Sequence, residues 1–338
     1  DHAAAAGVGR IADQVAKATP EILVGSALSP DPGGVPTIYV KGPASDLVKK
    51  LVREADLEIN LIDQQPFSYN ELAARNDAAY GALVASGYRN VALGADIRHR
   101  GQLSITVQVG PGLLPSANEI LGVLPAEVRE NASVEVRTAP VGEYQFSIGG
   151  LLMRDDGVFE CSSGWTVWDS SGAGAYGLTS AAHCSGLNQV VHGAATFHDA
   201  DFEAQHLGVF GDIEWYTTAS NEPAEFFSTD TTIRDTVSVE AWSNISVGES
   251  VCVYSRQQGT RFCGRDVQTF PYACLGANRL VLTDGADTIG GDSGSGWSFN
   301  STAFGGHVGL CSVGAVFSVA DYFDDAIPGI AVHTTTYP

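Results

Sequence analysis

The sequence predicts two domains of different class: a small α+β unit over residues 1–146 and an all-β domain over residues 147–338. The first observation is length, because 338 residues are enough for two domains of about 150 residues each. The second is a change of pattern near Ser147, where alternating strand and helix signals give way to short β runs separated by Gly, Ser, Asn and Asp. Regularly spaced short strands favour a sandwich or a barrel.

Hydrophobic periodicity and capping signals define the elements of the first domain. PTIYVKG (36–42) is a strand, SDLVKKLVREA (45–55) is a helix capped by Ser45, and LEINLID (57–63) is a second strand. Ser68 and Glu71 have capping-box spacing before an alanine-rich helix, and Ser116 and Glu119 repeat that spacing. NVALGADI and QLSITVQV flank RHRG as a hairpin, and ASVEVRT is the last strand.

Composition and charge exclude several classes of function. Apolar residues make up 44% of the chain and charged residues 17%, which is typical of a globular protein, and no run of about 18 apolar residues predicts a membrane span. Residues 1–146 carry 17 acidic and 12 basic side chains, and the remainder carries 22 and 6, giving net charges of −5 and −16. Such an acidic chain is not built to bind nucleic acid. No motif calls for a cofactor, and the expected partners are protein or peptide substrates.

All six cysteines lie in the second domain. Their even number and wide spacing, without a Cys-x-x-Cys pair, indicate disulfides and an oxidising, extracellular compartment rather than a zinc site. The sequence alone leaves the pairing of these residues open: Cys161, Cys184, Cys252, Cys263, Cys274 and Cys311.

Three short motifs carry the candidate chemistry. LTSAAHC places His183 directly after an apolar strand, VFGDIEWYTT places Asp212 at the mouth of another strand, and DTIGGDSGSGW surrounds Ser293 with glycines. Acyl transfer to a serine needs a base that takes its proton, an acid that orients the base, and donors for the oxyanion. His183 is the candidate for the base, Asp212 for the acid that orients it, and Ser293 for the nucleophile.

Each of these residues also has a structural interpretation. His183 could be a buried, hydrogen-bonded histidine, Ser293 could be a turn residue, and Asp212 could cap the end of a strand. Asp199 and Asp201 are the rivals of Asp212 for the role of orienting acid. Four further histidines are scattered and are interpreted as surface or packing residues rather than metal ligands: His192, His198, His206 and His333.

In the order His, Asp, Ser, the motifs TSAAHC and GDSGS resemble those of the chymotrypsin-like serine endopeptidases, and most closely the bacterial streptogrisin and α-lytic protease group. FSIGG, VCVYSRQQGTRFCG and AFGGHVGLC extend the resemblance along the second domain, and the first domain is more weakly similar to the pro-regions of that group. The resemblance implies a double six-stranded β-barrel. It makes His183 the general base, Asp212 its orienting acid and Ser293 the nucleophile, with an oxyanion hole from the N–H groups of Gly291 and Ser293.

The resemblance also implies a disulfide pairing. It joins Cys161 to Cys184 and Cys252 to Cys263, which leaves Cys274 for Cys311. In many relatives the third bridge begins closer to the serine, so a different pocket wall is expected here.

Asp292 needs a positive partner, because a buried ionised acid is costly when unpaired. Val253 stands where relatives in the streptogrisin group have an internal arginine. The candidate positive partners of Asp292 are Arg256, Arg261 and Arg265, or a freed amine at Ile148.

Two cues on substrate preference conflict. Asp287 lies six residues before Ser293, where trypsin-like relatives carry the acid that pairs with Arg or Lys. His307, two residues before Gly309 on the implied specificity strand, resembles the histidine with which glutamyl endopeptidases bind a carboxylate. A buried Asp287 would repel the acidic side chain that His307 attracts. The balance leans slightly towards an acidic residue.

The first domain is expected to be an intramolecular chaperone and inhibitor, cut away between about Pro140 and Ser147. The alternative is a permanent binding or spacer module. For the whole chain, the alternatives to a secreted endopeptidase are an inactive homologue that acts as a secreted binding protein, and a carbohydrate-binding module. The latter predicts rows of exposed aromatic side chains, whereas the five tryptophans sit singly.

Overall fold

The computed structural model describes residues 2–31, 33–88, 90–109, 115–137, 142–144, 151–156, 158–171, 174–193, 196–218, 222–229, 231–311 and 314–336. Its helices are α1 His2–Ala18, α2 Asp46–Arg53, α3 Tyr69–Ala85, α4 Ala117–Val123, α5 Ala126–Arg129 and α6 Phe323–Ala326. No described helix has the length and apolar content that crossing a membrane would take.

The strands up to the middle of the chain are β1 Leu23–Ala27, β2 Thr37–Lys41, β3 Asn60–Gln65, β4 Asn90–Asp96, β5 Gln102–Gln108, β6 Ala132–Arg137, β7 Gly142–Tyr144, β8 Leu152–Asp155, β9 Val158–Ser162, β10 Thr166–Asp169, β11 Tyr176–Ser180 and β12 Gln189–Gly193. The remaining strands are β13 Thr196–Gly208, β14 Gly211–Thr218, β15 Glu225–Thr229, β16 Thr232–Asp235, β17 Ser238–Val239, β18 Ser250–Ser255, β19 Thr260–Cys274, β20 Ala277–Thr283, β21 Gly296–Phe299, β22 Thr302–Cys311, β23 Gly314–Val319 and β24 Ile330–Val332.

The chain divides into two compact units. The first contains residues 1–141 together with the segments 241–250 and 266–274, and the second contains 142–240, 251–265 and 275–338. The predicted boundary at Ser147 lies outside the described residues and stays a prediction.

The first unit is α+β, as the sequence predicts. Its strands β1 and β2 are antiparallel and β2 and β3 parallel, and α1 and α2 pack on this sheet through a shared apolar core. A second sheet joins β4, β5 and β6, and Tyr272 and Ala273 of β19 pair with Gly94 and Leu93 of β4. Helices α3, α4 and α5 contribute buried residues to the core on this sheet.

Local capping explains where three of these helices begin. Ser68 Oγ accepts from the Glu71 N–H at 3.4 Å while Glu71 Oε2 accepts from the Ser68 N–H at 2.8 Å. Ser116 and Glu119 form the same reciprocal pair, and Ser45 Oγ accepts from the N–H of Val48. These contacts satisfy backbone donors that a helix start leaves without partners, and the three predicted caps are confirmed.

Helix α1 is a difference from the sequence-based prediction, which found no element in the alanine-rich start of the chain. Ala5, Val8, Ala12 and Val15 recur at helical spacing and are buried. A Cβ at Gly9 would lie 3.0 Å from the Asn244 carbonyl oxygen, so glycine permits a close approach to the segment 241–250 of the same unit. Glycines inside the helix conceal it in the sequence.

The second unit consists mainly of antiparallel β-sheet. One sheet has the order β24-β10-β11-β14-β13-β12-β8-β9, and its interior holds Met153, Cys161, Leu178, Val190 and Tyr216. In the other, β18, β21, β22, β23 and β20 follow one another, and β18 also pairs with β19 as a hairpin. The predicted class of the two parts, a small α+β unit followed by an all-β domain, is confirmed. The first of these sheets has eight strands, and in the other β7 and β17 also pair with β22, so neither sheet has the six strands expected of each barrel.

Candidate active site

The three motif residues arise from three separate elements of the second unit. His183 lies in a 3₁₀ turn, Ala182–Cys184, directly after β11, and Asp212 is the second residue of β14. Ser293 lies in the glycine-rich turn between β20 and β21. Because β11 pairs with β14 over Gly177–Ser180 and Glu214–Thr217, the end of one strand lies beside the start of the other. This pairing places His183 next to Asp212.

The side chains form one hydrogen-bonded chain. His183 Nδ1 lies 2.5 Å from Asp212 Oδ2, and His183 Nε2 lies 2.9 Å from Ser293 Oγ. Asp212 Oδ1 also accepts from the backbone N–H of His183 at 3.0 Å, so both carboxylate oxygens hold the histidine. A proton on Nδ1 donated to Asp212 leaves Nε2 to accept from the serine hydroxyl, which is the arrangement that nucleophilic activation needs.

Ser318 of β23 fixes the backbone of Asp212. Its hydroxyl accepts from the Asp212 N–H at 2.8 Å and lies 3.2 Å from the Asp212 carbonyl oxygen, to which it donates. A Cβ at Gly211 would lie 2.6 Å from this hydroxyl oxygen, so the glycine allows the close approach. No motif in the sequence marks Ser318, because its contact joins residues 106 positions apart.

The turn that carries Ser293 is bonded to its surroundings on both sides. The Ser293 carbonyl accepts from Ser162 N–H at 2.8 Å, Gly294 N–H donates to the His307 carbonyl at 2.7 Å, and Ser162 Oγ donates to the Gly291 carbonyl. Gly294 has φ +91°, and a Cβ there would lie 2.1 Å from the Ser162 carbonyl oxygen. Only glycine fits at this position, which explains part of the GDSGS motif.

Gly291 and Ser293 are the predicted oxyanion-hole residues. Gly291 has φ +94°, in the left-handed region that favours glycine, and its carbonyl is held by Ser162 as described above. Asp292 N–H donates to the Ile289 carbonyl, and the Asp292 carbonyl accepts from Ser295 N–H, so the turn closes on itself. Both residues thus lie in one internally hydrogen-bonded turn, and Ser293 is bonded to His183.

Asp292 is fully buried beneath this turn. Its Oδ2 accepts from Ile289 N–H at 2.9 Å, and its Oδ1 has no hydrogen-bond partner among the described residues. Burial raises the pKa of Asp292 to about 7, against the opposing hydrogen bonds of Ile289 and the Ser255 side chain.

The three arginines predicted as partners of Asp292 have other contacts. Arg265 pairs with Asp287, Arg261 Nη2 donates to Ser298 Oγ at 2.9 Å, and the Arg256 guanidinium lies 5.6 Å from the Phe227 ring centroid. None of them is among the causes of the raised pKa of Asp292. Ile148, the other candidate, lies outside the described residues.

The two predicted specificity residues are both engaged. Asp287 Oδ2 lies 2.6 Å from Arg265 Nη2, so its charge is compensated by an ion pair. His307 is fully buried, and its Nδ1 accepts from Trp297 Nε1 at 3.3 Å. Burial, and then the charge of His183, lower the pKa of His307 to about 3, against a hydrogen bond with the Val316 backbone. Gly309, the third predicted pocket residue, pairs with Tyr144 of β7.

Glu214 is a buried acid that the sequence did not reveal as special. It follows Asp212 by two residues on β14, so both side chains lie on the same face of the strand, with Tyr216 next. Burial raises the pKa of Glu214 to about 8; the neighbouring Tyr216 side chain opposes this shift and the charge of Asp212 adds to it. A neutral acid therefore lies next to the candidate catalytic aspartate.

The burial and contacts of the rival residues differ from those of Asp212 and His183. Asp199 and Asp201 are exposed on β13, whereas Asp212 is 2% exposed and bonded to His183. His206 Nε2 accepts from the Phe210 N–H, and His333 Nδ1 lies 3.2 Å from the Glu222 carbonyl oxygen. His198 is exposed, and His192 lies on β12.

Disulfides hold two parts of this region. Cys161 is bonded to Cys184, next to His183, and Cys252 is bonded to Cys263 across the β18–β19 hairpin. Both pairings implied by the resemblance are confirmed. Cys274 and Cys311 are disulfide-bonded as well, so no cysteine of the described chain is a free thiol.

No family model and no curated protein matches the chain. Among solved structures, it is similar to a Nocardiopsis protease at 19% identity, covering 55% of this chain and 98% of that one, with a TM-score of 0.44. It is also similar to Thermobifida fusca Protease A at 21% identity, covering 55% of this chain and 98% of that one, with a TM-score of 0.43. A third similar structure is a glutamic acid specific serine protease that is described as using a novel histidine triad in substrate binding. The identity is 18%, the match covers 54% of this chain and 97% of that one, and the TM-score is 0.42.

Proposed function

We propose that this chain is a serine endopeptidase that cleaves peptide bonds through an acyl-enzyme. The observation that carries the proposal is the unbroken chain of hydrogen bonds from Asp212 through His183 to Ser293. Asp212 is buried and doubly bonded to His183, which is what an orienting acid requires.

The proposed reaction begins with attack of Ser293 Oγ on the carbonyl carbon of the substrate. His183 Nε2 takes the hydroxyl proton, and Asp212 stabilises the resulting imidazolium. The N–H groups of Gly291 and Ser293 stabilise the negative oxygen of the tetrahedral intermediate. His183 then gives the proton to the leaving amine, and a water activated by the same histidine hydrolyses the ester.

The substrate is proposed to bind as an extra strand along β22. This mode is supported by β7, which pairs with β22 in antiparallel register, Glu143 opposite Leu310 and Tyr144 opposite Gly309. Strand addition recognises the main chain of a substrate, and side-chain pockets then add selectivity.

The same pairing supports production as a proenzyme. A segment just before the predicted boundary lies along the strand that would hold a substrate, as expected for a pro-region that inhibits the enzyme until it is cut. The disulfides of the second unit support secretion into an oxidising compartment. Residues 1–146 are accordingly proposed as chaperone and inhibitor.

Neither predicted charge preference gains support from the site. An acidic preference needs a cationic His307, and the indole N–H of Trp297 donates to its Nδ1. A basic preference needs an unpaired Asp287, which is paired with Arg265.

Digestion of an unfolded test protein, with the products analysed by mass spectrometry, tests the proposal. We expect internal cleavage by the wild-type chain and none by Ser293→Ala. Binding of the test protein without cleavage by either chain would instead support the inactive binding homologue.

The proposed role of the first domain has its own test. Residues 147–338 expressed alone should fold poorly and gain activity when residues 1–146 are added as a separate chain. Full yield and activity without the first domain would contradict the chaperone role.

A further inference from the structure

The second unit contains a cavity to which the proposed triad contributes no residue. Its volume is about 220 Å³, and its wall includes residues of the β15–β16 hairpin and of strands β10, β11, β18 and β21. An apolar cavity of about 150 Å³ binds one benzene molecule in another protein. The larger space here therefore admits one aromatic ring with a short substituent.

Three aromatic side chains contribute to the wall of this cavity. Phe226 and Phe227 come from β15 and Tyr254 comes from β18. An edge-to-face contact with Trp165, at 4.9 Å between ring centroids, holds the Phe226 ring in place. Such a wall suits an aromatic ligand, because paired rings gain energy beyond the area that they bury.

Ser295 supplies a polar group at the buried end of the cavity. This residue is 1% exposed, and its Oγ has no hydrogen-bond partner among the residues that the structure describes. Its N–H donates to the Asp292 carbonyl at 2.9 Å, and its carbonyl accepts from the His307 N–H at 2.8 Å. The hydroxyl is therefore the group that Ser295 can offer to a ligand, and leaving it without a partner is costly.

The exposed end of the cavity is acidic. Glu225 is exposed there beside Ile233, and Glu222 is half-buried with its Oε1 accepting from the uncharged Thr218 hydroxyl at 2.8 Å. No basic residue is among the described residues of the wall, and Arg256 approaches only the ring of Phe227, at 5.6 Å. This mouth attracts an ammonium group and repels a carboxylate.

We propose that this cavity binds a small aromatic amine that carries a hydroxyl group. The ring lies between the aromatic side chains, the hydroxyl bonds to Ser295 Oγ, and the ammonium group faces Glu225 at the mouth. The inference goes beyond the proposed endopeptidase function and does not depend on it. Ser295 follows Ser293 by two residues and is bonded into the same turn, so the ligand would be held to the turn that carries the candidate nucleophile.

Calorimetric titration with tyramine, a hydroxyphenyl amine of this size, tests the proposal. The full chain carries Ser293→Ala, so that self-cleavage cannot change it during the titration. We expect one saturable site with a Kd of about 1 mM or tighter. No saturable binding at concentrations up to about 10 mM would overturn the proposal.

Two matched compounds test the two ends of the ligand. Phenethylamine lacks the hydroxyl of tyramine, and 3-(4-hydroxyphenyl)propionate has a carboxylate in place of the ammonium group. Each should bind about fivefold more weakly than tyramine, the first through a lost hydrogen bond and the second through repulsion at the mouth. Equal or tighter binding of either compound would overturn the proposal.

Variants of the same chain locate the site. Ser295→Ala should weaken tyramine binding by about fivefold and leave phenethylamine binding unchanged, and Glu225→Gln should weaken both by about twofold. Ser228→Ala is the matched control, because Ser228 is buried on β15 outside the wall and donates to the Thr232 carbonyl at 3.2 Å. An unchanged preference for tyramine in Ser295→Ala, no effect of Glu225→Gln, or an equal loss in Ser228→Ala would overturn the proposal.

Discussion

Asp292 provides a prediction whose size follows from the structure. Its carboxyl is fully buried with one oxygen unpartnered among the described residues, and burial raises its pKa from an ordinary 3.8 to about 7. Between these two pH values the folded chain binds a proton that the unfolded chain has lost. Stability therefore falls as pH rises from about 4 to about 7 and levels off above that range.

This rise in pKa corresponds to a loss of about 4 kcal/mol in the free energy of unfolding once Asp292 is ionised in the folded chain as well. The perturbation is Asp292→Asn in a Ser293→Ala background, which prevents self-cleavage in both chains. The amide cannot ionise, so the variant lacks this loss of stability, and its advantage over the parent should grow by about 4 kcal/mol between pH 4 and pH 8.

Urea unfolding followed by tryptophan fluorescence at a series of pH values measures this difference. Any constant effect of the amide cancels, because only the change with pH is compared. Parallel stability curves for parent and variant would show that the pKa of Asp292 is not raised by folding. A parent that gains on the variant as pH rises would show that Asp292 has a cationic partner after all.

Three further variants probe other parts of the site. Asp212→Asn should lower kcat on a peptide substrate by about ten-thousandfold, because the His183 tautomer is no longer fixed; a loss under tenfold contradicts the triad. Gly294→Ala should unfold at lower urea, since its Cβ would lie 2.1 Å from a carbonyl oxygen, while Gly122→Ala, which has open space around it, should not. Glu214→Gln should reduce the loss of stability between pH 4.5 and about 8 that follows from its raised pKa; an unchanged pH dependence contradicts a buried, ionisable Glu214.

Local signals predicted much of the first unit and the order of the site residues. The reciprocal bonds of Ser68 with Glu71 and of Ser116 with Glu119 lie within one turn, so spacing in the sequence is sufficient to find them. His183 follows one strand and Asp212 lies near the start of another, and the apolar pattern reveals both strands. Gly294 stands out in the GDSGS motif, and the structure gives the reason, because its positive φ favours glycine.

Contacts between distant residues were not predictable in the same way. The sequence offers Asp287 and His307 as opposite charges in one pocket, and only folding shows that Arg265 neutralises the first and Trp297 fixes the second as a neutral ring. The role of Ser318 depends on a bond that spans 106 positions. The assignment of residues 241–250 and 266–274 to the first unit likewise depends on tertiary packing, which periodicity does not report.

Labelling with a serine-directed phosphonate, followed by peptide mapping, tests the central claim most directly, because the reagent reacts only with a serine that a working base activates. The proposed triad predicts one label, on Ser293, that is absent from Ser293→Ala and strongly reduced in His183→Ala. No label on the wild-type chain, or a label on another serine, would contradict it.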